Sequence, residues 1–124
     1  METLKHTIKR KWFDMIISGE KKEEYKEIKP FWISRLCHTT PLVDYEPFLK
    51  ADNGNEFFEQ VEKVFHDHNF FNGAYFSEKL PNFKIKSKGI HIGTGRPEWG
   101  AVEGVNYFVI ELGEVLANNE TKTK

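Results

Sequence analysis

The sequence predicts an α+β fold: a small, curved, mainly antiparallel sheet or barrel of about five to six strands, flanked by about three helices. Three observations carry that expectation. Apolar residues alternate with polar ones in short runs from the N-terminus to residue 112, the period of half-buried strands. Stripes at helical spacing break into those runs three times. The two patterns do not alternate strictly, as a parallel βαβ chain would require. The length of 124 residues suits one domain, expected over residues 1–117, with a polar, disordered tail over 118–124. Eleven Phe, four Tyr and three Trp concentrate the apolar material in rings, each able to bury about 150–250 Å². That excludes disorder over the bulk of the chain.

The elements follow in order. Leu4, His6 and Ile8 alternate with Thr3, Lys5 and Thr7, which predicts a strand. Trp12, Phe13, Ile16 and Ile17 form one apolar stripe of a short helix, and Ser18-Gly19 supplies its stop. Lys21 to Lys29 lacks such a stripe and reads as a strand with one unusually polar face. Pro30 can open a second helix at its first position, with Phe31, Trp32 and Leu36 on the apolar side. Residues 38–54 contain Pro41, Pro47 and Asn53-Gly54, and read as a long connection with little regular structure. Asn55 caps a third helix running through Phe65. A short strand over Asn69 to Phe71 meets a turn at Asn72-Gly73. Phe83, Ile85, Ile90 and Ile92 mark a strand with a bulge or bend near Lys88-Gly89. Residues 93–100 form a loop, and Tyr107 to Leu112 a continuous β-rich run ending at Gly113.

Several function classes fall away. No apolar run approaches the ~18 residues of a membrane-spanning helix, and the N-terminus lacks the apolar core of a signal peptide. A single cysteine, Cys37, excludes an internal disulfide framework and a multi-cysteine zinc site. The expected location is cytoplasmic. The net charge of −1 is a cancellation: residues 1–40 carry nine basic and six acidic side chains, residues 41–80 three and eight, and residues 81–124 six and five. Such asymmetry marks either a polyanion-binding face or simple scatter.

The densest candidate site is Gly19-Glu-Lys-Lys-Glu-Glu-Tyr-Lys26. On a strand, Lys22, Glu24, Lys26 and Ile28 face one way, and Lys21, Glu23, Tyr25 and Glu27 the other. One face can be solvated, with surface pairs worth about 0–1 kcal/mol. The other meets the core, where an unpaired charge is costly, and a cavity would explain it.

Gly19-x-Lys21-x-x-Glu24-x-Lys26 resembles the Gly-x-Lys-x-x-Glu-x-Arg signature of the ASCH domain family, within the PUA-like superfamily. The preceding Lys11-Trp-Phe-Asp-Met-Ile-Ile-Ser18 is similar to the helix before that signature. Ile92-Gly-x-Gly-x-x-Glu-Trp-Gly100 and Tyr107-Phe-Val-Ile-Glu-Leu-Gly113 resemble the C-terminal part of small bacterial and phage-type members. Residues 38–68 match nothing in the family. The resemblance implies a PUA-like barrel with a charged cleft beside the signature, and RNA or a nucleotide as partner. Lys21 joins Glu24 and Lys26 in such a cleft only if it still lies in the turn after Gly19. Some members are similar to amidohydrolases that deacylate modified cytidine with the signature lysine, a threonine and a glutamate. Lys21 occupies the lysine position, but Glu24 stands where the threonine would be. The final basic position is Lys26 rather than Arg, which keeps the charge and loses the bidentate fork.

Around this core, Trp32 and Arg35 lie one helical turn apart, either offering a stacking plane and a phosphate contact or dividing between core and solvent. Arg96 and Trp99 occupy the glycine-rich loop, where Trp99 either anchors the loop or stacks a base. His66-x-His68 lacks a third ligand nearby, and Cys37-His38 lacks the orienting partner of a catalytic pair; neither a metal nor a cofactor is expected. The expectation is an RNA- or nucleotide-binding module using Lys21, Glu24, Lys26, Trp32, Arg35, Arg96 and Trp99. The alternatives are a hydrolase acting on a modified nucleoside through Lys21 and Glu24, and a non-catalytic protein-interaction domain using the acidic segment 41–67.

Overall fold

The computed structural model describes residues 2–39, 46–49 and 51–119. Among these residues five strands run in chain order as β1 (Glu2–Ile8), β2 (Glu23–Glu27), β3 (Phe65–Asn72), β4 (Asn82–Thr94) and β5 (Asn106–Asn118). Three α-helices join them: α1 (Arg10–Ile17), α2 (Pro30–Leu36) and α3 (Ala51–Val61), with 3₁₀ turns at Glu46–Leu49 and Pro97–Trp99. The class is the expected α+β, and the strands form a mixed sheet in the order β1-β3-β4-β5-β2. The chain divides into two compact units. The first holds Met1–Lys22, Val64–Gly89 and Glu111–Lys124; the second holds Glu23–Lys63 and Ile90–Ile110.

In the first unit, Leu4, His6 and Ile8 alternate inward along β1. β1 pairs with β3 in parallel, with Lys5 opposite Asn69 and His6 opposite Phe70. A parallel pair needs a long crossover, and the chain from α1 to α3 supplies it, so the sheet departs from the mainly antiparallel expectation at this pair. β3 and β4 run antiparallel, Phe70 opposite Phe83. The apolar stripe of α1 buries Phe13 and Ile16. Phe13 meets Phe83 edge-on at 4.9 Å, and Phe70 stacks on Phe83 at 5.3 Å. β3 begins at Phe65 rather than Asn69. Glu2 pairs with Phe65 and Thr3 with Asp67, so a bulge at His66 masks the alternation.

In the second unit, Ile33 and Leu36 are the buried residues of α2. Phe108 on β5 packs against Phe48 and Phe58 at 5.9 and 5.3 Å. The third helix differs from its prediction at both ends. It starts at Ala51, running through Asn53-Gly54, and stops at Val61, leaving Phe65 to the sheet. Gly54 is there for close packing: a Cβ would stand 3.0 Å from the Phe48 carbonyl oxygen and 3.1 Å from that of Pro47. Asn55 is therefore no cap. Its carboxamide clamps the Ile92 backbone in both directions, accepting from the N–H at 2.7 Å and donating to the carbonyl at 2.8 Å.

β4 is continuous from Asn82 to Thr94, with the expected bend reduced to Gly89 at φ 118°. β5 extends to Asn118, and the Asn119 N–H donates to the Asn82 carbonyl at 2.8 Å; residues 120–124 lie outside the described residues. Of the predicted connection 38–54, residues 40–45 and 50 also lie outside them. Among the described residues, no helix is long and apolar enough to cross a membrane.

Candidate functional site

The polar strand is real but short. β2 covers Glu23–Glu27, and its burial alternates so that Glu24 and Lys26 turn inward. They are 9 % and 8 % exposed. The Lys26 ammonium donates to Glu24 Oε2 at 3.1 Å. The same ammonium lies 4.6 Å from the centre of the Trp32 ring on α2. The lysine thus meets a carboxylate and an aromatic face at once. A cation over an indole contributes about 0.5–2 kcal/mol, more as water is excluded. The ion pair itself adds little net stability against an apolar pair, because desolvation offsets its attraction.

From Trp32 the cluster continues outward along α2. Trp32 meets the Phe31 ring edge-on at 5.0 Å, and the Arg35 guanidinium lies 4.0 Å from the centre of the Phe31 ring. Phe31 is half exposed at 50 %, which corrects its expected place in the core. Ile33 and Leu36 take the inward face instead, so Phe31 and Arg35 are presented together to solvent. Glu24, Lys26, Trp32, Phe31 and Arg35 form a continuous chain within the second unit, an ion pair, two rings in contact and an outer guanidinium. Phe31 is the member that sequence reasoning missed. Its signal is the four-residue spacing to Arg35, the reach of a cation over a ring on a helix surface.

Arg96 and Trp99 belong to the other side of β2. Tyr25 points away from Glu24 and Lys26, and its hydroxyl donates to Glu23 at 2.8 Å while accepting the Arg96 backbone N–H at 3.0 Å. Burial pushes the Tyr25 phenol above its ordinary range, with the Glu23 carboxylate adding to the rise. Gly95 permits this contact, since a Cβ there would stand 2.6 Å from the Tyr25 ring and 2.7 Å from Ala101 Cβ. The Arg96 guanidinium sits 4.8 Å from the centre of the Trp99 ring. The loop is anchored through Tyr25, and its cation and ring form a separate pair.

Lys21 lies in the first unit, outside β2 and in the turn that ends α1. Gly19 adopts φ 84°, and the Lys21 N–H reaches back to the Met15 carbonyl at 2.9 Å. The side chain is 1 % exposed, with its ammonium 5.3 Å from the centre of the Trp12 ring. Trp12 also carries Lys11 at 4.6 Å.

The remaining candidates have structural surroundings. Cys37 is buried, and burial pushes its thiol up to about 12. The adjacent His38 ties its backbone N–H to the Val61 carbonyl at 2.6 Å. His66 sits in the bulge facing Asp67 at 3.5 Å, while His68 is buried with its Nδ1 3.0 Å from His6 Nε2. Among the described residues no group of three or more His, Cys, Asp or Glu could hold a metal ion. No protein-family model, curated protein or solved structure matches the chain.

Proposed function

We propose that the chain is an RNA- or nucleotide-binding module of the ASCH type, a PUA-like domain acting in the cytoplasm, with Glu24, Lys26, Trp32, Phe31 and Arg35 as its recognition cluster. The observation that carries this reading is the position of Lys26, held between the Glu24 carboxylate and the Trp32 face. An ion pair this buried adds little to stability. What it does supply is a fixed cation beside an aromatic plane. Single-stranded RNA is recognised through such pairs: rings stack unpaired bases, and lysine and arginine meet phosphates. Phe31 and Arg35 repeat the arrangement at the surface. A nearly neutral chain fits a compact site for one or a few nucleotides better than a broad duplex-binding face. The resemblance of Gly19 to Lys26 to the ASCH signature supports the same conclusion.

The test is fluorescence anisotropy of a labelled single-stranded RNA, with mononucleotides as competitors, at low salt. Saturable binding that weakens as salt rises is expected. Absence of binding by both RNA and nucleotides overturns the proposal. A second reading rests on Lys21, whose burial against Trp12 suits a lysine with altered reactivity. It requires release of cytidine from acetylated cytidine by the wild-type chain, and loss of that release in Lys21→Ala.

A further inference from the structure

We infer that the chain forms a two-fold dimer by pairing the C-terminal half of β5 with the same segment of a second copy. Every residue from Glu114 to Asn118 on this strand is exposed. On one side this half of β5 lies against β4, where the Asn119 N–H donates to the Asn82 carbonyl at 2.8 Å. On the other side the adjoining segment ends at Lys22, whose carbonyl accepts the Leu112 N–H at 3.0 Å. Before Lys22 the chain turns away into α1, with the Lys21 N–H bonded back to the Met15 carbonyl. Among the described residues, no strand lies along this side of β5 beyond that point.

Those two bonds fix the direction of the backbone. Along an antiparallel strand, successive residues turn their N–H and C=O groups to opposite sides. Leu112 points to the Lys22 side and Asn119 to β4, which is the result of unbroken alternation between them. Glu114 and Leu116 therefore aim their N–H and C=O groups at the open edge. Protected edges carry Lys, Pro or a bulge. Glu114-Val-Leu-Ala-Asn118 has no Lys or Pro and keeps its alternation, while Val115 and Leu116 are 38 % and 46 % exposed. Such an edge is a template for another strand.

The segment is its own complement. Antiparallel pairing about Leu116 sets this residue beside Leu116 of the second copy, with reciprocal N–H to C=O bonds on the axis. Val115 then opposes Ala117 of the second copy, and Glu114 opposes its Asn118. Aliphatic side chains meet aliphatic ones and no like charges face each other. The net charge of −1 gives little repulsion between copies. The edge uses no residue of the Glu24–Lys26 cluster, so it stands or falls separately from the nucleotide-binding reading.

The test is sedimentation of the full chain between about 1 µM and 1 mM, with amide hydrogen exchange followed by NMR over the same range. A monomer–dimer equilibrium with a Kd of about 10–100 µM is expected, since a short strand pairing is smaller than the ~1,200 Å² of stable interfaces. As the dimer forms, exchange at the Glu114 and Leu116 amides should slow at least about tenfold, and exchange at the β4-facing Val115 and Ala117 amides should change less. Leu116→Lys and Leu116→Glu, at an exposed position, should each keep the wild-type melting temperature and weaken self-association at least about tenfold by setting like charges together. Mixing the two variants should restore a dimer. A chain that stays monomeric at about 1 mM, a dimer that neither variant weakens, no dimer on mixing, or Glu114 and Leu116 exchange independent of concentration overturns the inference.

Discussion

The Lys26 ammonium lies 4.6 Å from the centre of the Trp32 ring and 3.1 Å from Glu24 Oε2. A strand and a helix therefore meet through one buried cation rather than through apolar contact alone. Removing the lysine leaves Glu24 buried without this partner. Lys26→Met is expected to lower stability by about 3–5 kcal/mol, and the double variant Glu24→Gln, Lys26→Met to recover most of that loss. Urea denaturation of the three chains measures it. Equal stability of Lys26→Met and wild type would show that the pair is solvated.

Phe31 and Arg35 are exposed, so replacing them should leave folding intact within about 0.5 kcal/mol. Binding should respond differently to each. Phe31→Ala is expected to weaken single-stranded RNA by about 1–3 kcal/mol through lost stacking. Arg35→Ala should reduce the slope of log affinity against log salt by about 0.7. Titrations at several salt concentrations separate the two effects.

Gly95→Ala should destabilise the chain by about 1–3 kcal/mol. The added Cβ meets the Tyr25 ring at 2.6 Å, and that ring cannot simply swing aside while its hydroxyl is held by both Glu23 and the Arg96 N–H. A melting temperature unchanged from wild type would contradict this account of the loop.

Cys37 should be inert in the native state. With its thiol pushed up to about 12 by burial, almost none of it is thiolate at pH 8, and the thiolate is the reactive form. Its reaction with a disulfide reagent is expected to be at least about a hundredfold slower in the native chain than in guanidinium. Equal rates would show an accessible sulfur.

Asp67 gives the pH dependence. Burial raises its carboxyl, but hydrogen bonds from Thr3 and His66, with the nearby His66 and Lys84 charges, outweigh that and hold it below its ordinary range. A group depressed in the folded state adds stability above its unfolded value, and that stability is lost as pH falls through the folded one. Thr3→Val should therefore cost about 1 kcal/mol at pH 7 and less at pH 3. Urea midpoints at the two pH values decide it.

What the sequence revealed depended on whether a residue's role was local. The α1 stripe, its stop at Gly19 and the run from Tyr107 are set by spacing and backbone freedom, and all three stand in the structure. Lys21 was readable only as a condition: it had to lie in the turn after Gly19, and it does. Asn53-Gly54 was misleading because its glycine serves helix packing against Phe48 rather than a turn. The bulge at His66 hid the start of β3, since one extra residue breaks the alternation. Phe31 was hidden because a ring at a helix start reads as core until Ile33 and Leu36 are seen to occupy the inward face. In the candidate site, Glu24, Lys26, Trp32 and Arg35 gather in one cluster. Arg96 and Trp99 attach through Tyr25 instead, a separation that only the direction of that side chain reveals.

The most direct test is an NMR titration of the labelled chain with a short single-stranded RNA at low salt, following the Trp32 indole N–H. Saturable shifts are expected at that indole and at the backbone amides of Lys26, Phe31 and Arg35, with the Trp12 indole changing less. Shifts confined to residues outside this cluster, or none at all, would contradict it.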